Sequence, residues 1–379
     1  MGFELTEEQV LIQKMAQDFA LAEVEPIASE TDLKGIFPEA SWKRLAELEL
    51  LSIPYPTEYG GGGAGYLSYA LVIEALARSC ASTAVILACH SLAQYPIVAY
   101  GTPEQKAKYL PLFAAGKTGP GIFALTEPGS GTDAGGMQTT AVLDGDHYVL
   151  NGNKCFITNG DMGTVGVVMA KTEQGIGTKG ISAFIVDKNV SPWEVGKHED
   201  KMGVRGSHTT DMIFKNCRVP KENLIWKHGK GFNIAMEALD GGRIGVAAQA
   251  LGILQACLDE SVAYAKERKQ FGRPIADNQA IQWMIADMAK DLIAARLLVY
   301  NAASLKDDGK PCSMEASAAK VFCAEAAMRH SIKAIQIHGG YGYMRGMKVE
   351  RLMRDAKITE IYEGSSEVQR MVLSRLALQ

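Results

Sequence analysis

The spacing of apolar residues changes twice along the chain. Up to about residue 110 they recur every three or four positions, as at Leu11, Met15 and Phe19, which is typical of amphipathic helices. Between 121 and 220 the apolar segments are short and rich in Val, Ile, Phe and Thr, which predicts strands. Helical spacing returns after Gly231. The pattern therefore predicts a helical part, a β part and a second helical part.

The first helix has a start signal of its own. Thr6 and Gln9 form a T-x-x-Q capping box, with Leu5 placed as a hydrophobic staple. Met1 and Gly2 also match an N-myristoylation pattern formally, with Thr6 as its hydroxyl residue. We favour the capping box, which accounts for the same threonine.

The longest uncharged run, residues 79–103, is long enough to raise the question of a membrane span. It contains His90, Gln94, a proline and a glycine, so we expect a buried helix followed by a turn, and no membrane-spanning segment. Glutamates at 4, 7 and 8 stand where a secretory signal would be basic, so no export signal is expected.

The β part begins with a hairpin signal. Asp144 and Gly145 lie between the short segments Thr139–Leu143 and Tyr148–Leu150. Further strands are expected at Val165–Ala170, Ile181–Val186 and Met212–Phe214. No long helix separates these segments, so parallel pairs joined by helices are disfavoured. We expect a small antiparallel barrel or sandwich.

The last part has helices long enough for a four-helix bundle. They are expected at Ile234–Ala265, Asn278–Lys306 and Met314–Ile337, with a short final helix after them. Asp277 and Ser313 are candidate N-caps, and Gly339 is a candidate stop. The chain is thus predicted to be an α+β protein with domains at 1–120, 121–231 and 232–379.

Composition narrows the classes of function. The 379 residues contain 39 Lys and Arg against 43 Asp and Glu, a net charge of −4, which argues against a nucleic-acid surface. The seven cysteines form no C-x-x-C pair, so neither a disulfide framework nor a zinc site is expected, and we predict no metal. This cysteine usage favours a reducing compartment: the cytoplasm of a bacterium, or the mitochondrial matrix for a mature eukaryotic chain.

Two glycine-rich segments look like nucleotide-binding loops but lack the required context. Gly119–Ala124 satisfies G-x-G-x-x-A, yet Pro120 interrupts the turn and a strand follows where a helix is needed. Gly60–Gly63 has no Gly-Lys-Ser/Thr after it and no strand before it. We interpret it as a flexible loop.

Five other segments combine glycines with polar or aromatic residues. They are Phe123–Asp133, Cys155–Gly160, Arg268–Ile275, Gln336–Tyr343 and Ile361–Arg370. The turn in the first has free backbone N–H groups that suit an anion or the polar edge of a flat ring. Arg268, on a tight loop, suits a phosphate. Taken alone, the first two segments are better explained as ordinary turns, whereas the Arg268 segment is equally compatible with a solvated basic connector.

Glycines and one glutamate mark the last two of these segments. A helix stop requires one glycine, but Gly339, Gly340 and Gly342 follow one another, which indicates close backbone approach by another group. Glu363 precedes a final helix that Ser366 is expected to start, in a capping box with residue 369. A lone glutamate in such a turn is ordinarily a solvent-exposed residue without a specific function.

In this order and spacing, the five segments resemble the acyl-CoA dehydrogenase family, and the short-chain, butyryl-CoA-type members most of all. The resemblance covers essentially the whole chain. It implies an N-terminal helical domain, a middle β domain and a C-terminal four-helix bundle, with tightly bound FAD and a homotetramer built as a dimer of dimers. It also implies dehydrogenation of a short-chain acyl-CoA to the trans-2-enoyl-CoA, with electrons passed to an electron-transferring flavoprotein.

The resemblance assigns roles to individual residues. The cofactor-binding set would be Leu125, Thr126, Gly131, Thr132, Phe156, Ile157, Thr158, Arg268, Phe271, Gln279, Gln336, Gly339, Gly340, Ser365 and Glu367. Within it, Arg268, Gln279 and the 336–340 stretch would hold the adenosine diphosphate half of a neighbouring subunit's FAD. The substrate-binding set would be Thr132, Asp240, Arg243 and Gly364. Glu363 would be the catalytic base.

Three positions bear on the subtype. Some members of the family carry the base at the position of Gly242, which has no side chain here, so Glu363 is the consistent choice. Glutaryl-CoA-type members have an arginine in the helix around 83–90, and this chain has none there. Gln249 and Thr359 match the bulk that short-chain members place at the pocket floor.

Two other functions stay open. The same site could run in reverse as a 2-enoyl-CoA reductase, including one for aryl acrylyl groups, fed by an electron-transferring flavoprotein in an anaerobe. Alternatively, the chain could be an idle scaffold that binds acyl-CoA or flavin, although the presence of Glu363 beside intact flavin motifs argues against this.

Overall fold

The N-terminal part of the chain is helical, as predicted. The structure, a computed structural model, describes residues 4–379, so the myristoylation pattern at Met1 and Gly2 lies outside the described residues. The α-helices are α1 (Glu7–Phe19), α2 (Glu25–Lys34), α3 (Glu39–Glu47), α4 (Gly65–Ser79), α5 (Ala81–Tyr100) and α6 (Pro103–Ala114). The capping box is confirmed: Gln9 N–H donates to Thr6 Oγ1 and Thr6 N–H donates to Gln9 Oε1.

The uncharged run forms helix α5, which lies in the protein interior. Within residues 4–379 it is the one helix whose length and hydropathy would suit a bilayer, and 89% of its most apolar window is buried inside the protein. It ends at Gly101, as expected for a helix followed by a turn.

The middle part forms one seven-stranded sheet. Its strands are β1 (Ile122–Ala124), β2 (Thr140–Asp144), β3 (His147–Thr158), β4 (Val165–Lys171), β5 (Ile181–Asp187), β6 (Glu194–His198) and β7 (Thr209–Pro220). The spatial order is β1-β4-β2-β3-β7-β6, with β5 also paired to β4. The predicted hairpin at Asp144 and Gly145 is confirmed, because β2 and β3 pair antiparallel around it.

The expectation of a purely antiparallel sheet is wrong. β1 pairs parallel with β4, with Ile122 opposite Gly166, and β2 meets β4 in the same sense at Thr140 and Lys171. A parallel pair needs a long crossover connection. Here the β2–β3 hairpin supplies it in place of a helix, which is why the absence of a helix between strands misled the prediction.

The two faces of the sheet pack against different partners. On one face of β5, Phe184 packs in a core formed by side chains of the β part, including Phe214. On the other face, Ile185 packs with residues of α5 and α6, such as Ile97. A strand buried on both faces is apolar at every position. This explains the unbroken apolar runs of β4 and β5, and it fixes the sheet against the N-terminal helices.

The C-terminal part is helical. Its elements are α7 (Gly231–Glu267), a small hairpin of β8 (Lys269–Gln270) and β9 (Arg273–Pro274), α8 (Gln279–Asp307), α9 (Ser313–His338), α10 (Lys348–Thr359) and α11 (Ser366–Ala377). The 37-residue α7 packs against α8, α9 and α10, which gives the expected bundle, and α11 packs on α9. The division at 120/121 and 231/232 stays a prediction.

Helix α7 also joins the two helical parts. Gly252 on α7 lies so close to α4 that a Cβ would stand 2.7 Å from Ala77 Cβ and overlap the Glu74 carbonyl oxygen. Glu74 in turn accepts hydrogen bonds from Arg296 and Tyr300 of α8. One apolar core therefore runs through both helical parts.

Two of the predicted helix starts are displaced by one residue. Asn278, not Asp277, occupies the N-cap of α8. Ser313 is the first residue of α9, with Cys312 at the cap, and its hydroxyl donates to Asp240 Oδ2 at 2.5 Å. The Ser313 hydroxyl is therefore bonded to a residue of α7 and does not cap α9. Gly339 ends α9 as predicted.

Candidate active site

Glu363 lies in the turn between α10 and α11, with its backbone in the left-handed region at φ 52°. Two long side chains hold this turn. Lys320 Nζ donates to the Gly364 carbonyl at 2.8 Å, and Gln369 Nε2 donates to the same oxygen at 2.9 Å and to Glu363 O at 3.2 Å. A left-handed backbone is strained for a glutamate, and it persists at Glu363 because these hydrogen bonds fix the turn.

These contacts correct the predicted capping box. Ser365, not Ser366, is the N-cap of α11, and its hydroxyl accepts from the Val368 N–H. Gln369 does not return to the cap, because its side-chain amide is used by the turn carbonyls. The residue that looked like part of a helix cap is therefore a support of the Glu363 turn.

Gly242 of α7 makes the space that the Glu363 carboxylate occupies. A Cβ at Gly242 would overlap Glu363 Oε2 and lie 2.9 Å from its Cδ. Oε2 is buried and has no hydrogen-bond partner among residues 4–379. Burial raises the pKa of Glu363 to about 7, against the opposing effect of Lys320 and then Arg243. The result is a carboxylate held free to accept a proton near neutral pH.

The surroundings of this carboxylate are mainly neutral. Burial, and after it the charge of Glu363, raises the pKa of Tyr69, Cys89 and Tyr362, so all three stay protonated near neutral pH. The Tyr362 hydroxyl donates to Gln249 Oε1, and Gln249 Nε2 donates to the Ala81 carbonyl at 3.0 Å. Gln249 is fully buried, so both ends of its side chain are fixed.

Asp240 and Arg243 lie on α7 within one turn of Gly242. Arg243 Nη1 is 2.7 Å from Asp240 Oδ1, and Arg243 is only 6% exposed. Its Nε is buried and has no acceptor within the described part of the chain. The guanidinium therefore retains one unused donor close to Glu363, which suits the substrate-binding role that the resemblance implies.

A buried ion pair fixes the loop after β1. Lys154 of β3 is fully buried; its Nζ lies 2.8 Å from Glu127 Oε1 and donates to Leu125 O at 2.9 Å. Glu127 also accepts the backbone N–H groups of Gln138 and Thr139. Burial acts to raise the pKa of Glu127, but Lys154 and these donors bring it below its usual range. Leu125 and Thr126 are thereby set in place beside β3.

Opposite this loop, a β-bulge turns an aromatic ring outward. The register of β3 against β7 shifts between Lys154 and Ile157, and Phe156, at φ 56°, is 64% exposed while Ile157 is buried. The Cys155 N–H donates to the Thr126 carbonyl at 3.0 Å, which joins the strand to the loop. Thr158, at the end of the strand, lies close to the Cys89 thiol, whose pKa is raised by burial and then by the charge of Glu363, so this loop–strand pair adjoins the surroundings of Glu363.

Open space adjoins the glycine turn of the same loop. A Cβ at Gly129 or Gly131 would meet no atom within 4 Å, and Thr132 next to them is exposed. An exposed aromatic ring, two fixed strand ends and unfilled space beside free backbone suit a flat cofactor with phosphates. The residues present therefore fit the flavin that the resemblance implies.

The remaining cofactor candidates form a second group. The Arg268 guanidinium lies 5.9 Å from the centre of the Tyr341 ring, which follows Gly340. Phe271 is fully exposed at the tip of the β8–β9 hairpin. Gln279, the first residue of α8, and Gln336, close to the end of α9, are also exposed. In the described residues, no hydrogen bond or ion pair links this group to the Glu363 turn.

The three glycines after α9 do not all adjoin open space. Gly342 is required by the chain itself, because a Cβ there would stand 2.7 Å from Ile335 O and 2.8 Å from His338 Cβ. At Gly339 and Gly340 a Cβ would meet nothing within 4 Å, so those two lie beside open space. Ser365 and Glu367 belong instead to the N-terminus of α11, beside Glu363.

Comparison with known proteins identifies the fold. Family models described as acyl-CoA dehydrogenase N-terminal, middle and C-terminal domains match residues 6–117, 122–217 and 229–378. The chain belongs to the acyl-CoA dehydrogenase family. Members of this family are FAD-dependent oxidoreductases that act on CH–CH bonds of acyl-CoA, and the chain is accordingly a flavoenzyme of this class.

Individual relatives are similar over their whole length. A short-chain-specific acyl-CoA dehydrogenase from Clostridium acetobutylicum is 51% identical, with 99% of each chain covered. An acryloyl-CoA reductase (NADH) from Anaerotignum propionicum is 50% identical, over 99% of this chain and 95% of its own.

Two solved structures superpose on the whole chain. A structure titled for the electron transferring flavoprotein of Acidaminococcus fermentans and flavin-based electron bifurcation matches with a TM-score of 0.98 and 50% identity. Butyryl-CoA dehydrogenase from Megasphaera elsdenii matches with a TM-score of 0.98 and 44% identity. Both alignments cover 100% of each chain.

Sequence reasoning missed three supporting residues, namely Lys154, Lys320 and Gln369. A lysine in an otherwise apolar strand or helix is a weak signal, because most lysines at such places face water. Lys320 is nevertheless fully buried, and burial lowers its pKa to about 8, with Glu363 opposing that shift. Its positive charge and its bond to Gly364 make it a positioning residue for Glu363.

The pH dependence of dehydrogenation should expose this role. A glutamate that accepts a proton from the substrate must be ionised, so flavin reduction should become faster as the pH rises through about 7, the pKa of Glu363. Lys320 lowers that pKa, so Lys320→Met should move the midpoint to higher pH, in addition to any change in rate. Stopped-flow flavin reduction across the pH range measures the midpoint.

Lys320→Arg is the matched control, because it keeps the charge. We expect its midpoint to stay near that of the parent even if the rate falls. An unchanged midpoint in Lys320→Met would show that Lys320 does not tune Glu363.

Proposed function

We propose that this chain dehydrogenates a short-chain acyl-CoA to the trans-2-enoyl-CoA, with Glu363 as the base. The observation that carries the proposal is the Glu363 carboxylate, whose Oε2 lies in the space left by Gly242 and has no hydrogen-bond partner among residues 4–379. Both this carboxylate and Thr158, at the end of β3, lie close to the Cys89 thiol. A base with a pKa near neutrality beside a flavin site is what proton removal from a thioester requires.

Removal of an α-proton needs help, because a proton next to a thioester is only weakly acidic. The Glu363 backbone N–H has no acceptor among the described residues, so it is free to donate to the thioester oxygen as negative charge develops. The bonds of Lys320 and Gln369 to the adjacent carbonyls fix the direction of that N–H. FAD, when bound, accepts the hydride from the β-carbon.

The flavin would be held by the loop after β1 and the end of β3. Thr126, Thr132 and Thr158 offer hydroxyl and backbone groups for the ring edge and phosphate, and Phe156 offers its exposed face. The ion pair of Lys154 and Glu127 keeps this loop in its shape before the cofactor enters.

Support for a short acyl group comes from the buried polar residues near Glu363. Gln249 is tied at both ends, by Tyr362 and by the Ala81 carbonyl, and Thr359 is fully buried. Because these side chains have fixed partners, lengthening the pocket would break buried hydrogen bonds. The helix segment 83–90 contains no arginine that would bind a second carboxylate.

The direction of the reaction and the electron partner also belong to this proposal. We favour oxidation with transfer to an electron-transferring flavoprotein, supported by the short-chain-specific relative and by the structure titled for such a flavoprotein. The acryloyl-CoA reductase relative supports the reverse reaction as the second candidate. The same base and flavin serve both directions, since one is the microscopic reverse of the other.

The exposed second group supports assembly into a dimer of dimers. Phe271 is completely exposed on a hairpin tip, and Arg268 lies against the ring of Tyr341, which follows two glycines that adjoin open space. A group of this kind is suited to the phosphates of a cofactor bound mainly by another subunit. We include the homotetramer in the proposal on this ground.

Glu363→Gln tests the base directly. We expect the variant to keep its fold and FAD, because the amide is isosteric, and to lose flavin reduction by ~10²–10⁴-fold, since an amide cannot accept the proton. Glu360→Gln, in the same turn but paired with Lys357, is the control and should react like the parent. A near-parental rate in Glu363→Gln would remove Glu363 as the base.

A panel of acyl-CoAs read by flavin absorbance without oxygen tests the substrate and direction. We expect butyryl-CoA to bleach the oxidised flavin faster than longer or aryl-substituted chains, because of the fixed pocket residues. Reoxidation of the reduced flavin by an enoyl-CoA, without bleaching of the oxidised flavin by any saturated thioester, would favour the reductase. No response to either class would leave only a binding scaffold.

Arg268→Ala tests the second group. We expect loss of FAD during purification and a smaller assembly by light scattering, because a phosphate would lose its guanidinium. Arg273→Ala, on the other strand of the same hairpin, controls for general damage to the loop. Full FAD content and unchanged mass in Arg268→Ala would contradict the assignment.

A further inference from the structure

Three side chains with metal-binding atoms meet in the middle β part, outside the site described above. Asp161 lies in the turn after β3, His198 is the last residue of β6, and His208 directly precedes β7. One nitrogen or oxygen atom from each lies within 4.8 Å of the others. The expectation of no metal rested on cysteine spacing, which does not bear on histidines from separate segments.

The Asp161 carboxylate is the centre of this cluster. Its Oδ2 lies 2.6 Å from His208 Nδ1 and 3.8 Å from His198 Nδ1. Its Oδ1 is buried and has no hydrogen-bond partner within residues 4–379. A buried carboxylate oxygen without a partner is costly, so its presence calls for a group that would satisfy it.

The backbone brings the two histidines to this carboxylate. The pairing of β6 with β7 is irregular between Val195 and His198, which shifts His198 relative to the ladder. His208 is held from its other side, because its carbonyl accepts the Asn159 N–H at 3.0 Å and its ring contacts Phe37 edge-on. The rings of His198 and His208 lie 5.8 Å apart and nearly perpendicular.

The cluster is closed on one side and open on the other. The side chains of Asp161 and His208 are 14% and 23% exposed, whereas that of His198 is 58% exposed. Lys201 stands nearby but donates to the Ser207 carbonyl. In the described part of the chain, no lysine or arginine forms an ion pair with Asp161. An ion could therefore enter from solvent past His198 and meet an unneutralised carboxylate.

We propose that Asp161, His198 and His208 bind a divalent transition-metal ion. Two imidazole nitrogens and one carboxylate oxygen suit zinc and its neighbours, whereas magnesium and calcium prefer sites made of oxygen alone. Three protein ligands with one open side leave coordination positions for water. The ion would tie the turn after β3 to β6 and β7.

Zinc binding to the chelator-treated, full-length flavoprotein tests this by isothermal titration calorimetry. We expect one zinc site per chain in the parent, and at least tenfold weaker binding in each of Asp161→Asn, His198→Asn and His208→Asn, because each removes a ligand. Zinc should also raise the thermal midpoint of the parent and not that of the variants.

His147→Asn is the matched control, because His147 pairs with Asp146 at 2.7 Å in the same way but is part of no three-ligand cluster within residues 4–379. It should bind zinc as the parent does. Parental affinity in all three ligand variants would overturn the proposal, as would absence of binding in the parent. Binding that survives in the variants but is lost on alkylation would assign the zinc to cysteines and overturn it equally.

Discussion

The structure depends on one buried carboxylate, that of Glu363, which forms no ion pair with any of residues 4–379. Glu363 has a buried oxygen without a hydrogen-bond partner in the described part of the chain, and burial raises its pKa. Lys320 and Arg243 reduce this shift without forming an ion pair with it, and they leave the pKa near 7. A direct ion pair would hold the carboxylate ionised but make it a weaker base. The arrangement around Glu363 is therefore a compromise between burial and charge.

Much of the fold serves to maintain this arrangement. Helix α7 provides the space at Gly242, the paired Arg243 and, at Gly252, the close approach of α4. Helix α9 provides Lys320, and the loop after β1 is fixed by a second buried lysine, Lys154. In both cases the ammonium donates to a backbone carbonyl of a loop, which fixes the loop, and the charge of Lys320 also lowers the pKa of Glu363. Removing either lysine would leave buried acceptors unsatisfied, at a cost of about 1–3 kcal/mol for each group.

The sequence predicted the order of the three parts, most element positions and the family, because hydrophobic spacing and motif order are local or collinear properties. It failed where a residue's partner lies far away in sequence. Ser313 and Gln369 looked like caps, but their side chains are used by Asp240 and by the Glu363 turn. The parallel pairing of β1 with β4 likewise depends on a crossover made of strands. The buried lysines gave no local signal, since only the tertiary structure shows that they lack water.

One feature of α9 has a mechanical consequence. Lys320, which holds the turn of the base, and Gln336, in the exposed second group, lie on the same helix, sixteen residues or roughly 24 Å apart at about 1.5 Å per residue. A straight helix transmits displacement along its axis with little loss. A shift of α9 at Gln336 would therefore also move Lys320 and, through its bond to the Gly364 carbonyl, the turn that carries Glu363.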